Sequence, residues 1–221
     1  MLDNKFSNIF LRCVSGVVIL AMFIISLFVK PQLFYALMLL ILTGMLYEWH
    51  NITKSNFNIW IRGIILTLPI LSLCYIKYHF YNASFVILWY FLIIWSNDTM
   101  AMVGGKTIGG PKLAPLISPN KTWSGFWIGT IAATLIGVFL YKMMQNYNIQ
   151  ILNNPSIVRI CIISFFIAAI AQFSDLSISM VKRKFNIKDS GNLIPGHGGF
   201  LDRFDSIIVT APLLALITYY I

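Results

Sequence analysis

The chain has 221 residues, of which 58% are hydrophobic and only 10% charged, and it carries a formal net charge of +9. A water-soluble domain carries about 25% charged residues, so this composition excludes an ordinary soluble domain and points to lipid. The basic excess then fits anionic lipid heads and anionic substrates, and nucleic acid is set aside as a partner.

The predicted elements are apolar blocks, and blocks of about 17–25 apolar residues cross a bilayer as helices. Cys13–Val29 and Pro31–Tyr47 come first, without charge and separated only by Lys30. The first block lacks a small-residue cleavage site, so the two are expected to form a helical hairpin, not a leader and its product. Gly63–Ile76 follows and needs Arg62 to snorkel to the interface. Phe80–Asn97 and Thr122–Tyr141 are again uncharged. Ile160–Ser174, with Arg159 at its edge, and Ser206–Ile221 complete about seven spans. Cys13, Cys74 and Cys161 are scattered in or beside these blocks, with no metal spacing and no disulfide framework. No internal repeat appears, and one polytopic domain over residues 1–221 is the simplest description.

Charge orients the spans. With the N-terminus inside, twelve basic residues fall on the inner side: Lys5, Arg12, Lys54, Arg62, Lys106, Lys112, Lys121, Lys182, Arg183, Lys184, Lys188 and Arg203. Four fall outside: Lys30, Lys77, Lys142 and Arg159. The positive-inside bias favours this orientation. Two inner connections are long, one from about Asp98 to Lys121 and one from about Asp175 to Asp205. Loops beyond about 12–15 residues without regular structure are usually functional or disordered. Both of these mix Gly and Pro with apolar residues and do not look disordered. The expected fold class is therefore all-α: about seven transmembrane helices and two long cytoplasmic loops.

The acids gather in the same places. Of seven (Asp3, Glu48, Asp98, Asp175, Asp189, Asp202 and Asp205), five flank or lie within the two long loops, and the outer connections have none. If the sixth span continues inward as helix, Asp175, Ser179, Lys182 and Arg183 fall at i, i+4, i+7 and i+8, on one face. A carboxylate, a hydroxyl and two cations suit a metal–phosphate assembly; the plainer alternative is a solvated helix end. Asp202 and Asp205 would face the same way on a helix, and paired hard oxygens beside cations suit Mg²⁺ and a nucleoside triphosphate. An N-cap role would explain either aspartate alone, but not both together with Arg203 and His197. His197, between glycines, has three open roles: general base, phosphate donor or loop-orienting hydrogen bonder. His50 and His79 have no polar company in sequence. Gly104-Gly105-Lys106-Thr107 lacks the leading glycine of a P-loop, because Met100 stands there.

The run Ser179-Met180-Val181-Lys182-Arg183, four residues, then Lys188-Asp189-Ser190-Gly191-Asn192-Leu193-Ile194-Pro195-Gly196-His197-Gly198-Gly199-Phe200-Leu201-Asp202-Arg203-Phe204-Asp205 resembles the hallmark motif of the phosphatidate cytidylyltransferase (CDP-diacylglycerol synthase) family. Ser118-Pro119-Asn120-Lys121-Thr122 resembles a second element of that family, and Ser96-Asn97-Asp98-Thr99 a looser third. The chain departs from the family at Ser124 and Ile178, where members usually or often carry Glu, and it is short on its N-terminal side. The resemblance implies a multi-pass enzyme of the inner (cytoplasmic) membrane, with its site facing the cytoplasm and its catalytic motif at 175–205. It implies CMP transfer from CTP to phosphatidate with Mg²⁺, and with a second cation such as K⁺ alongside; it leaves room for a homodimer. The catalytic set it implies is Asp202, Asp205, Asp175 and His197. Asp202 would take Mg²⁺, and Asp175 with Ser179 the accompanying cation. Lys121, Lys182, Arg183, Lys188, Arg203 and Ser118 would bind substrate phosphates.

Three other readings compete. A CTP-dependent lipid kinase would move the γ-phosphate, and the full Lys-Asp…His-Gly-Gly…Asp-Arg…Asp run argues against it. A CDP-alcohol phosphatidyltransferase would need a D-G-x-x-A-R run, which is absent. A transporter would place its ionisable groups near mid-membrane in broken helices, whereas here they collect at one face.

Overall fold

A backbone in hydrocarbon has no water to bond, so an apolar run must satisfy its amides within itself, as helix does. The computed structural model describes residues 2–153, 155–194 and 198–220, with side chains from residue 14 onward. In chain order the helices are α1 (Leu2–Phe28), α2 (Pro31–Thr53), α3 (Phe57–Trp60), α4 (Thr67–His79), α5 (Ala83–Thr107), α6 (Trp123–Asn146), α7 (Ile157–Lys184), α8 (Leu201–Phe204) and α9 (Ile207–Tyr220). A 3₁₀ stretch, Ile61–Leu66, joins α3 to α4. An antiparallel hairpin, β1 (Lys112–Ala114) with β2 (Ser118–Thr122), lies between α5 and α6.

Among the described residues, five helical stretches are long and apolar enough to cross a membrane: Pro31–Thr53, Phe57–His79, Ala83–Thr107, Trp123–Asn146 and Ile157–Lys184. Val14–Phe28 and Ile207–Tyr220 are apolar but shorter among the described residues. At 1.5 Å per residue, a helix the length of α9 rises about 21 Å, against ~30 Å of hydrocarbon. The chain is thus a multi-pass, all-α membrane protein, and five of the seven expected spans qualify by length and composition. Leu39, Leu135 and Phe139 are each more than 60% exposed, an arrangement unfavourable in water and without cost against lipid.

The chain divides into two compact units. The first comprises Met1–Ile70 and Val181–Phe204. Its α1 and α2 pack as the expected hairpin. Pro31 opens α2 at a position where a missing amide costs nothing, and Lys30 before it is extended. One stripe of α2 is buried, running Phe34, Met38, Ile41, Met45, Glu48. The Trp49 indole donates to the Trp60 carbonyl at 3.0 Å and occupies the space a side chain at Gly63 would need. Pro69 has no amide to give Ile65, and the residues just before α4 wind as 3₁₀. His50 does have polar company: the Trp60 Nε1–H donates to its Nδ1 at 2.9 Å.

The second unit comprises Leu71–Met180 and Asp205–Ile221. Small residues let α5 and α6 approach closely. Side chains added at Gly104, Gly125 and Gly129 would meet Ile128, the Ala101 carbonyl and Asn97 respectively. The glycines that fail as a P-loop therefore include helix-packing residues. Among the described residues of this core the Ser164 hydroxyl is buried without a partner, while the larger polar side chains are satisfied. Gln172 Nε2 donates to Asn97 Oδ1, the Phe126 carbonyl and Thr130 Oγ1, and Asn97 donates to the Ala168 carbonyl. Trp89 Nε1 donates to the Gly137 carbonyl at 2.8 Å. Gly125→Ala would set a Cβ 2.5 Å from the Ala101 carbonyl oxygen. It is expected to destabilise the protein by about 1–3 kcal/mol, read as a lowered unfolding temperature in detergent; an unchanged temperature would contradict this packing.

Both long loops are shorter than the sequence suggested. Asp98–Thr107 continues α5, because the helix absorbs these charges at its end; it stops where Gly109 adopts φ 67°, which a side chain resists. The remainder turns back as the β1–β2 hairpin, and Thr122 caps α6 by accepting from the Gly125 amide at 3.1 Å. Likewise α7 runs on to Lys184, which leaves about 185–200 as the second connection. Asp202 and Asp205 do not share a helix. Asp202 lies in α8 and Asp205 in the turn before α9, so the same-face argument for this pair lapses.

Candidate active site

In the first unit the site grows from the end of α7 and the connection to α8. Asp202 Oδ1 accepts from Lys182 Nζ at 2.5 Å. Its Oδ2 accepts from the backbone amides of Ser190 at 2.8 Å and Gly199 at 3.2 Å. Both side chains of the pair keep only 11% exposure. Burial pushes the Asp202 carboxyl up. The Lys182 hydrogen bond, the Ser190 amide, the Lys182 charge and the Gly199 amide outweigh it, so the group lies below its usual value and is anionic at neutral pH. Gly198 permits the turn that delivers these amides, with φ 84°. Arg183 Nη1 donates to the Ile187 carbonyl at 3.1 Å and steadies the start of the connection. Lys188, Asp189 and Arg203 are exposed. His197 lies outside the described residues.

In the second unit Lys121, at the end of β2, pairs with Asp175 Oδ2 on α7 at 2.5 Å. Ser179, one turn on, donates to Asp175 Oδ1 at 3.2 Å. The expected inward continuation of the sixth span is thus what brings Ser179 to Asp175. Asp98 on α5 is in electrostatic reach of both Asp175 and Lys121. Ser118 stands opposite Ala114 at the turn end of the hairpin. Ser124 donates to the Gly109 carbonyl and lies 3.0 Å from Thr122 Oγ1, so it ties the two ends of the hairpin segment together. The Asp205 carboxylate accepts from the Ser206 amide at 2.8 Å.

Sequence reasoning passed over two acids here. Asp98 belongs to the acids gathered at the loops and to the looser Ser96-Asn97-Asp98-Thr99 element, but its relation to Lys121 and Asp175 depends on a hairpin that neither signal reveals. Glu48 went unassigned. It sits in the apolar stripe of α2, where the helical period asks for a hydrophobic residue, and that mismatch was the available signal.

Among the described residues, no three His, Cys, Asp or Glu side chains gather as a metal cage. The donor set fits another mode, in which Mg²⁺ keeps several waters and meets one or two carboxylates plus the phosphates of a substrate. Three donors occupy Asp202, leaving about one lone-pair site of its four. Asp175 has two such donors. Hard anionic oxygens beside lysines are thus available in each unit.

Residues 61–221 match the family described as the cytidylyltransferase family. A protein of Rickettsia prowazekii (strain Madrid E) named phosphatidate cytidylyltransferase is 49% identical over 215 residues, which cover 97% of this chain and 93% of that protein. One of the same name from Rickettsia typhi (strain ATCC VR-144 / Wilmington) is 51% identical over the same shares. A third, from Brucella suis biovar 1 (strain 1330), is 42% identical over 130 residues, 59% of this chain and 45% of its own length.

Proposed function

The chain belongs to the cytidylyltransferase family, among the phosphatidate cytidylyltransferases, and from that premise we propose that Asp202, Asp175 and the cations around them carry its reaction. The enzyme transfers a cytidylyl group from CTP to phosphatidate. A phosphatidate phosphate oxygen attacks the α-phosphorus of CTP, a new P–O bond forms, the α–β bridging P–O bond breaks, and pyrophosphate leaves. The product is CDP-diacylglycerol. Phosphoryl-type transfer asks little covalent help; positioning and charge neutralisation do most of it. The whole is the work of one polytopic domain over residues 1–221.

The observation that carries this assignment of roles is the hold on Asp202, the acid at the heart of the 179–205 motif, by Lys182 and two backbone amides. A carboxylate kept anionic and fixed in direction is suited to a hard cation. In this reading Asp202 holds Mg²⁺, and Asp175 with Ser179 holds a second cation such as K⁺. The metal, when bound, neutralises phosphate charge and polarises the phosphoryl oxygen. Lys182 keeps Asp202 charged and aimed. Lys121 aims Asp175 through their ion pair and also offers a cation to phosphate, as do Arg183, Lys188 and Arg203. Ser118 offers a hydroxyl to phosphate and Asp205 supports the assembly. His197 belongs to the same catalytic set, with the roles of general base, phosphate donor and loop-orienting hydrogen bonder all open to it.

Label placement tests the reaction. CTP labelled at the α-phosphate is expected to yield labelled lipid, and γ-label to leave in pyrophosphate. Lipid carrying γ-label instead would establish kinase chemistry.

We further propose seven passes, with the motif facing the cytoplasm across the inner membrane. The twelve-to-four division of basic residues supports this orientation. Single cysteines at Asn192 and Asn146 are then expected to label from opposite sides of sealed vesicles, and labelling from one side would overturn the topology.

A further inference from the structure

Glu48 is the most deeply buried acid among the described residues, at 1% exposure. It stands on α2 in line with Phe34, Met38, Ile41 and Met45, where the stripe would otherwise place an apolar residue. A buried carboxylate is costly unless it is well hydrogen-bonded. Three donors meet it: Ser190 Oγ to Oε2 at 2.7 Å, the Phe200 amide to Oε1 at 2.9 Å and the Leu201 amide to Oε2 at 3.0 Å. Among the described residues no lysine or arginine pairs with it.

These donors interleave with those that hold Asp202. Ser190 gives its hydroxyl to Glu48 and its amide to Asp202. Gly199 gives its amide to Asp202, and the next two amides go to Glu48. The same short stretches are thus gripped from both sides by two carboxylates. The fit leaves no room for side chains between them. A Cβ at Gly199 would lie 2.1 Å from Ser190 Oγ and 2.4 Å from Glu48 Oε2, and one at Gly191 would lie 3.0 Å from Glu48 Oε1. One turn earlier on α2, Gly44 makes space for the Phe200 ring, which a Cβ would approach to 2.5 Å. Gly44 and Glu48, at i and i+4, form one docking face for residues 199–201.

We infer that Glu48 is a positioning residue: it fixes the Ser190 and 199–201 backbone so that the Asp202 carboxylate keeps one direction. The inference rests on the reading of Asp202 as a residue of the reaction. Outer partners of this kind are typically worth about 10–100-fold in activity.

Glu48→Gln, which keeps the size but turns an acceptor into a donor facing donors, is expected to lower kcat about 10–100-fold per folded molecule. KM for phosphatidate should not change. Amide hydrogen exchange in residues 188–204 of the metal-free protein should quicken. Ser190→Ala should show the same pattern more weakly, and the double variant should be no slower than Glu48→Gln alone. Glu48→Asp, which restores the acceptor pair, should recover part of kcat. Glu48→Gln with normal kcat per folded molecule and unaltered exchange would overturn the positioning role. So would equal loss in Glu48→Asp and Glu48→Gln. Asp202→Asn run in parallel separates the two ideas, since full turnover in that variant would overturn the reading of Asp202 itself.

Discussion

Asp202→Asn is expected to lower turnover about 10²–10³-fold, the usual consequence of removing one electrostatic group from an active site. Asparagine keeps the size and one oxygen, and with that oxygen turned to the Ser190 and Gly199 amides both retain their acceptor while Lys182 loses its own. What disappears is the negative charge and the second hard oxygen. A divalent cation then loses its anionic partner, and nothing the protein adds compensates it. Asp3→Asn, far from the motif in sequence, is the control and should leave turnover unchanged. Turnover is measured with saturating CTP and phosphatidate in mixed micelles, and near-normal turnover in a folded Asp202→Asn protein at low Mg²⁺ would transfer the metal role to Asp175 or Asp205.

Lys182→Met should damage stability as well as chemistry. The Lys182–Asp202 pair is largely withdrawn from solvent, with 11% exposure on each side chain. Removing one partner of such a pair leaves a buried charge unpaired and costs about 3–5 kcal/mol. The two amides on Oδ2 remain, so the lower end is expected, read as a clear fall in unfolding temperature. Adding Asp202→Asn to Lys182→Met removes the orphaned charge and should restore a substantial part of that stability without restoring turnover. The double-mutant cycle isolates the coupling. A double variant no more stable than Lys182→Met would mean that the pair is not what holds this loop.

Sequence and structure agree most where one physical signal suffices. Uncharged blocks such as Pro31–Tyr47 and Thr122–Tyr141 became α2 and α6, because hydrocarbon leaves a lone segment no other way to satisfy its backbone. The motif residues Lys182 and Asp202 met as a pair, and Ser179 met Asp175 once α7 ran past the apolar block. The misses have local causes. Charges at Asp98 and Lys106 looked like the start of a loop, yet a helix ends by its capping geometry, and here that is Gly109. The three-residue spacing of Asp202 and Asp205 implied a shared face, but α8 stops at Phe204. The helical period marks Glu48 as a misfit in the α2 stripe but does not reveal its partners, which lie 142–153 residues away in sequence.

The account stands or falls on pyrophosphate release by purified protein in phosphatidate-containing micelles with Mg²⁺, comparing the native chain with Asp202→Asn. The expected result is release that requires both CTP and phosphatidate, is matched mole for mole by CDP-diacylglycerol, and drops at least about 10²-fold in Asp202→Asn. Release that continues without phosphatidate, or that is equal in the two proteins, would contradict it.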